Sequence, residues 1–230
     1  MEQDPHIRRL FIEQEKLINL ASRSDFIRVE PVEVSPGVPP DKYLITYACR
    51  GIAYIDKRRE PVASSFHQVS MYVSREFPRQ EPHLRWVTPI WHPNIEHQEP
   101  HHVCTNNVQN FYSTKGLDDL VLMLGEMVQY KRYHAVWREP WPYDKEVADW
   151  VVSYAEPRGI IGPDKPFDPR PLVRPYKIRV RGGKVSGQSK VAGDGATAKR
   201  QGLKFGAKHA ATDASAARKG RITFGTKRSS

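Results

Sequence analysis

Cysteine is scarce in this 230-residue chain: there are two, too few for a disulfide scaffold and more in keeping with a reducing cytosol. Long apolar runs are missing as well. No stretch approaches the roughly 20 residues needed to span a bilayer, and the opening "MEQDPHIRRLFIEQ" is acidic and amphipathic, unlike a secretory signal. These features lead us to expect a soluble, cytoplasmic protein without a membrane partner. The last fifty residues lack more. Residues 181–230 contain no Trp, Tyr, Cys or Pro, and their 12 Lys and Arg against 2 Asp and Glu account for the whole net charge of +10. Such a segment has too little apolar surface to offset its ordering entropy, and it reads as a disordered basic tail. Its charge suits weak, salt-sensitive nucleic-acid contact, but the aromatic interleaving of a single-strand groove is absent.

The remaining chain carries clear periodicities. Ile7, Leu10, Phe11, Leu17, Ile18 and Ala21 recur at helical spacing behind Asp4 and Pro5. Alternating apolar residues in "FIRVEPVEV", "DKYLITYACRGIAYI" and "FHQVSMYVSREFP", followed by "HLRW", predict a four-stranded antiparallel meander. Leu117, Leu120, Val121, Leu124 and Met127 line one face of a later helix, with Asp118 and Asp119 at its positive end. Asp144 is placed to cap a last helix with Val147, Trp150, Val151 and Tyr154 on one face. The expected fold class is α+β: an N-terminal helix, the meander and C-terminal helices over residues 1–156, a Pro-rich linker over 157–180, and the tail over 181–230.

One stretch concentrates chemistry. "HPNIEHQEPHHVCTNN", residues 92–107, holds four of the nine histidines and one of the two cysteines. Cys49 shares the odd-numbered face of its strand with Tyr43, Ile45, Tyr47, Ala53 and Ile55, so it is expected in the core and chemically quiet. Cys104 lies in a loop with His97, His101 and His102 upstream. Its readings are an incidental loop residue, a zinc ligand, a protease nucleophile or an acyl-carrying thiol. Zinc is disfavoured because the paired spacings of a structural site are missing and Pro100 interrupts any helix that would present His97 and His101 together; no metal or other cofactor is expected. Spacing alone leaves the nucleophilic readings open.

The order of elements, together with "FP", "TPIWHPNI" and "VC", resembles ubiquitin-conjugating enzymes over roughly residues 5–156. In that family an HPN turn precedes the catalytic cysteine. His92, Pro93, Asn94 and Ile95 match the turn, and Val103, Cys104 and Thr105 match the cysteine segment. The resemblance implies that Cys104 accepts a ubiquitin-like protein from an activating enzyme as a thioester and passes it to an amine of an acceptor protein. It implies that Asn94 serves the oxyanion or holds the loop, and that the first helix, with Arg8, Arg9 and Lys16, docks the activating enzyme. His92 is expected to pack within the turn. His101 and His102 are supporting candidates, able to take a proton from the amine, and Asp144 is either a helix cap or a lysine-activating acid. The family's loop between turn and cysteine is shorter than "EHQEPHH". The usual "YPFxPP" is abbreviated after Pro78, and an acidic pair near the site is replaced by Trp137, Glu139, Trp141 and Asp144. These departures resemble bacterial members carried in phage-defence operons. Two alternatives stay in view: a non-catalytic adaptor that binds ubiquitin-like protein, and a basic-tail nucleic-acid binder.

Overall fold

The computed structural model describes residues 4–105, 116–139 and 141–175. The chain divides at Ile178 and Arg179 into two units, and the expected tail over 181–230 lies outside the described residues.

The first helix, α1 (Pro5–Ser22), starts as its sequence dictates: the Asp4 carboxylate accepts a hydrogen bond from the His6 N–H, and Pro5 occupies the first turn. Its buried stripe differs from the expected one. Leu10, Leu17 and Leu20 face inward together with Glu13, whereas Phe11 and Ile18 are exposed. The cause is electrostatic. Glu13 is fully buried and its carboxylate accepts the Leu117 N–H at 2.6 Å, filling the open amide end of the helix α2 (Leu117–Val128). Arg9 and Lys16 flank the same carboxylate at 2.8 and 3.1 Å. A charged residue therefore decides which face of α1 turns inward.

The sheet has strand order β1 (Ile27–Val32), β2 (Lys42–Tyr47), β5 (His67–Tyr72) and β6 (His83–Trp86), all neighbours antiparallel. Ile27, Tyr47 and His67 stand opposite one another across three strands, as do Val29, Ile45, Val69 and Trp86 across four, so the alternating apolar residues form one continuous face. α2 covers that face, burying all five of its expected apolar residues. Gly125 lets it come close. A methyl group there would stand 2.9 Å from the Tyr47 ring on one side and 2.6 Å from Leu172 on the other.

The expected second strand, residues 41–55, is in fact two. After Tyr47 the chain leaves the sheet; the Ala48 N–H turns to the Phe26 carbonyl and the Arg50 N–H to the Asp168 carboxylate at 2.8 Å. Cys49 is buried at this break, as its face suggested. The alternation then changes phase. β3 (Gly51–Ile55) buries Ile52 and leaves Ala53 and Ile55 only partly covered, pairing with β4 (Pro61–Ser64) as a separate hairpin. That hairpin carries a second core with Trp91, Tyr130, Val147, Trp150 and Tyr154. It packs under α3 (Lys145–Trp150), which continues as a wider π-helical turn through Val151–Ala155.

Residues 157–175 correct a second expectation. The segment read as a linker leaving the domain instead returns across it: Ile161 and Leu172 are buried, Asp168 is buried and ion-paired to Arg170, and the Arg174 N–H bonds the Arg23 carbonyl. Its prolines direct a strap, and its apolar anchors are too widely spaced to show a period. Salt-bridging and hydrogen bonds hold the Asp168 carboxyl well below the usual carboxylate range despite its burial.

Glu13→Ala should lower stability by about 2 kcal/mol, a charge-assisted bond lost and an amide orphaned, with Glu13→Gln losing less; urea unfolding measures both. A chain ending at residue 156 should unfold at clearly lower urea than one ending at 180, because it lacks Ile161, Asp168 and Leu172.

Candidate active site

The HPN turn sits between the two cores, held by a dense set of hydrogen bonds. The Ile95 N–H closes the turn on the His92 carbonyl at 3.0 Å. His92 is fully buried; its Nδ1 accepts the Asn94 N–H at 3.2 Å, which leaves Nε2 to donate to the Arg132 carbonyl at 3.1 Å. Burial lowers its pKa to about 3, so the ring is neutral and structural throughout the physiological range. The Asn94 side chain, also fully buried, grips the backbone of His134 from both ends: Oδ1 accepts the N–H at 2.8 Å and Nδ2 donates to the carbonyl at 3.3 Å. Of the two roles expected for Asn94, this geometry is that of holding the loop, with one Nδ2–H committed to the His134 carbonyl.

From the turn the chain makes a short antiparallel ladder with the cysteine segment. The Cys104 N–H bonds the Asn94 carbonyl and the Glu96 N–H the His102 carbonyl, both at 2.9 Å, with Ile95 bridged to Val103 between them. Cys104 is thus fixed directly to the turn, and its side is partly open to solvent. Cys49 is the opposite case: burial, its largest cause, pushes that thiol up to about 12, where it stays protonated. Residues 106–115, immediately after the cysteine segment, lie outside the described residues; Thr105 is described, and its hydroxyl donates to Glu81 at 2.5 Å.

The histidines of the loop each meet a carboxylate. The His97 ring and backbone N–H both bond Asp144 Oδ2, at 2.5 and 3.1 Å; His101 lies 3.5 Å from Glu99; His102 lies 3.3 Å from Glu96. His101 also reaches the Glu96 carbonyl through Nδ1 and is largely covered, whereas the His102 side chain is 57% exposed. The two expected supporting histidines therefore stand differently: only His102 opens to solvent beside the cysteine segment. Among the described residues no group of three or more His, Cys, Asp and Glu side chains is arranged to share a metal ion.

Asp144 is both cap and clamp. Oδ1 accepts the Val147 N–H at the start of α3, Oδ2 is taken by His97, and the Asp144 N–H bonds the Pro93 carbonyl at 2.9 Å. Both oxygens are engaged and the side chain is 7% exposed, the arrangement of a cap and clamp and not of an acid open to an amine. The residue before it, Tyr143, was not singled out by sequence: it lies against His102, ring centroids 6.2 Å apart and nearly perpendicular. Proximity to a helix cap was the only signal that could have found it. Trp137 and Trp141 pack with tilted rings, centroids 5.2 Å apart, both about half exposed.

No protein-family model and no curated protein sequence matches the chain. Solved structures do. A ubiquitin conjugating enzyme domain from Toxoplasma gondii is 18% identical, with 65% of this chain and 88% of that one covered at a TM-score of 0.44. A Trypanosoma cruzi protein described as a ubiquitin conjugating enzyme is 13% identical, with 68% and 94% covered, also at 0.44. A human ubiquitin-conjugating enzyme is 13% identical, with 53% and 94% covered, at 0.38. Likeness at this level assigns no residue a role.

On the α1 surface, Arg8 is solvent-facing, while Arg9 and Lys16 are drawn to Glu13. No helix among the described residues is long and apolar enough to cross a membrane.

Because His92 binds a proton less readily folded than unfolded, the unfolded chain takes up more protons between about pH 6.5 and 3, and stability must fall as pH drops through that window. His67, also lowered by burial, acts in the same direction. Unfolding free energy at pH 5 should be about 2 kcal/mol below that at pH 7.5 from His92, and His92→Gln should be less stable at neutral pH but lose less on acidification.

Proposed function

We propose that the chain is a conjugating enzyme for a ubiquitin-like protein, carrying it as a thioester on Cys104 and transferring it to an amine of an acceptor protein. The observation that carries this reading is the ladder from the HPN turn to the cysteine: a turn of the family's sequence, buried and satisfied, holds a partly exposed thiol by a direct Cys104 N–H to Asn94 carbonyl bond. The chemistry suits so plain a site. A cysteine thiolate attacks the incoming thioester carbonyl, the donor's thiolate leaves, and the exchange is nearly balanced in energy, so no dedicated base is required for loading. Aminolysis asks more: an uncharged amine and help for the oxyanion.

Docking of an activating enzyme on α1 follows from the same reading, with the surface adjusted. Arg8 keeps its free charge, Arg9 and Lys16 contribute what Glu13 leaves over, and the exposed Phe11, Ile12 and Ile18 add an apolar component. Among the histidines, His102 is better placed than His101 to meet an incoming amine. A bacterial origin in a phage-defence operon is the finer form of the proposal, supported by the lengthened loop and the Trp137 and Trp141 segment. The +10 charge of residues 181–230 favours weak electrostatic contact with nucleic acid as an accessory property, which added salt would remove.

The test is to combine the protein with ATP and the ubiquitin-like and activating proteins encoded beside its gene, then resolve adducts on a non-reducing gel. A reductant-sensitive adduct should form, vanish in Cys104→Ala, become reductant-resistant or disappear in Cys104→Ser, and persist in Cys49→Ser. An adduct that survives Cys104→Ala overturns the assignment. Tight binding of the ubiquitin-like protein without any adduct would favour the adaptor reading instead.

A further inference from the structure

The Asn94 amide is engaged in holding the loop, so a second oxyanion donor at the cysteine would add to the proposed reaction. Both its polar atoms are held by the His134 backbone, which fixes the plane of the amide, and turning Nδ2 toward Cys104 would give up its bond to the His134 carbonyl. Aminolysis gains from any further donor at the cysteine, and among the described residues around Cys104 one hydroxyl makes no hydrogen bond.

A cleft of about 310 Å³ opens beside the cysteine segment, lined among others by Glu81, Pro82, Leu84, His102, Val103 and Tyr143. Tyr143 also walls a second, polar cleft of about 250 Å³ containing Glu96, His97 and Glu146, so the phenol stands between the two openings. Its position is fixed from behind and from the side. The next residue's N–H is tied to Pro93 of the HPN turn at 2.9 Å, and the ring packs edge-on against His102. Among the described residues the hydroxyl makes no hydrogen bond. Its pKa is raised first by burial and then by the charges it faces, the Glu96 carboxylate and the Cys104 thiol, which places it in the electrostatic range of the nucleophile and keeps it a proton-bearing donor at neutral pH.

We propose that Tyr143 is the catalytic oxyanion donor of this site, its hydroxyl binding the thioester carbonyl oxygen while an acceptor amine attacks from the cleft on its far side. The proposal rests on Cys104 being the acyl carrier. In the step, the amine nitrogen forms a bond to the carbonyl carbon, and the carbonyl oxygen gains negative charge and the Tyr143 hydrogen bond. The C–S bond then breaks to release the Cys104 thiolate, and the amine's proton passes to solvent. Tyr143 keeps its proton throughout. The carboxylates of the second cleft, Glu96 and Glu146, give that side the charge to attract a lysine ammonium before it loses its proton.

The hydroxyl and the ring separate experimentally. Cys104 is loaded chemically, by exchange with a glycyl thioester of 2-mercaptoethanesulfonate, and loss of the acyl group to free lysine is followed against a glycyl thioester on a short cysteine peptide. The wild type should exceed the peptide. Tyr143→Phe, which keeps the packing on His102, should lower the maximal rate by about tenfold to a hundredfold, the loss of one oxyanion donor, with the half-saturating lysine concentration and the melting temperature unchanged. Tyr143→Ala should be no faster than Tyr143→Phe. A Phe variant as fast as wild type, including one beside a slow Ala variant, overturns the proposal and leaves Tyr143 a packing residue. A Phe variant altered only in half-saturating lysine overturns it in favour of amine binding. A wild type no faster than the peptide removes the proposed function and this inference with it.

Discussion

Asn94 is the residue on which the site hangs, and it works by holding three stretches of backbone at once. Its N–H goes to His92, its carbonyl to Cys104, and its two amide atoms to the backbone of His134. In one fully buried residue the turn, the cysteine segment and the chain beyond α2 are brought to a common point. Each of these bonds is worth about 1 kcal/mol net, but none has a solvent substitute in a buried setting, so they stand or fall together. His92 supplies the second layer. Its buried, neutral ring fixes the tautomer that lets the turn close.

The two cores divide the remaining labour. Beneath the sheet, α1 and α2 are coupled through a carboxylate that is shared among an amide and two cations, an arrangement that stabilises the register of two helices more than it adds stability. The other core, built on the β3–β4 hairpin and α3, supports the far wall of the site. Asp144 links that core to the HPN loop: its carboxylate takes the Val147 N–H on one side and the His97 N–H and ring on the other, and its own N–H bonds the Pro93 carbonyl. The thiol therefore sits where two independently packed bodies meet, with polar contacts across the seam.

What the sequence disclosed and what it hid follow from the range of the interactions. The five apolar residues of α2 and the four of α3 and its π-helical continuation are local periodic signals, and all are buried. Strand pairing of β1, β2, β5 and β6 was readable from alternation. The break after Tyr47 was not, because it depends on an Arg50 N–H whose partner, Asp168, is 118 residues away. The inward face of α1 was misjudged by the same logic: no pattern of apolar residues announces that a glutamate will be the most deeply buried group between Leu10 and Leu17. At the site, the proximity of Asn94 to Cys104 could be anticipated from the motif, but that Asp144 has both oxygens engaged, and that the Tyr143 hydroxyl makes no hydrogen bond among the described residues, are properties of three-dimensional neighbours alone.

The ladder joining Asn94–Glu96 to His102–Cys104 separates the length of the intervening loop from the position of the thiol. With the Glu96 N–H closed on the His102 carbonyl, residues 97–101 hang from a base already pinched shut. Lengthening such a loop costs only the slow logarithmic increase of closure entropy, about 0.6 kcal/mol per doubling. Beyond His97, which is tied to Asp144, and the His101 carbonyl, which takes the Trp86 N–H, the segment can change its side chains without displacing the cysteine.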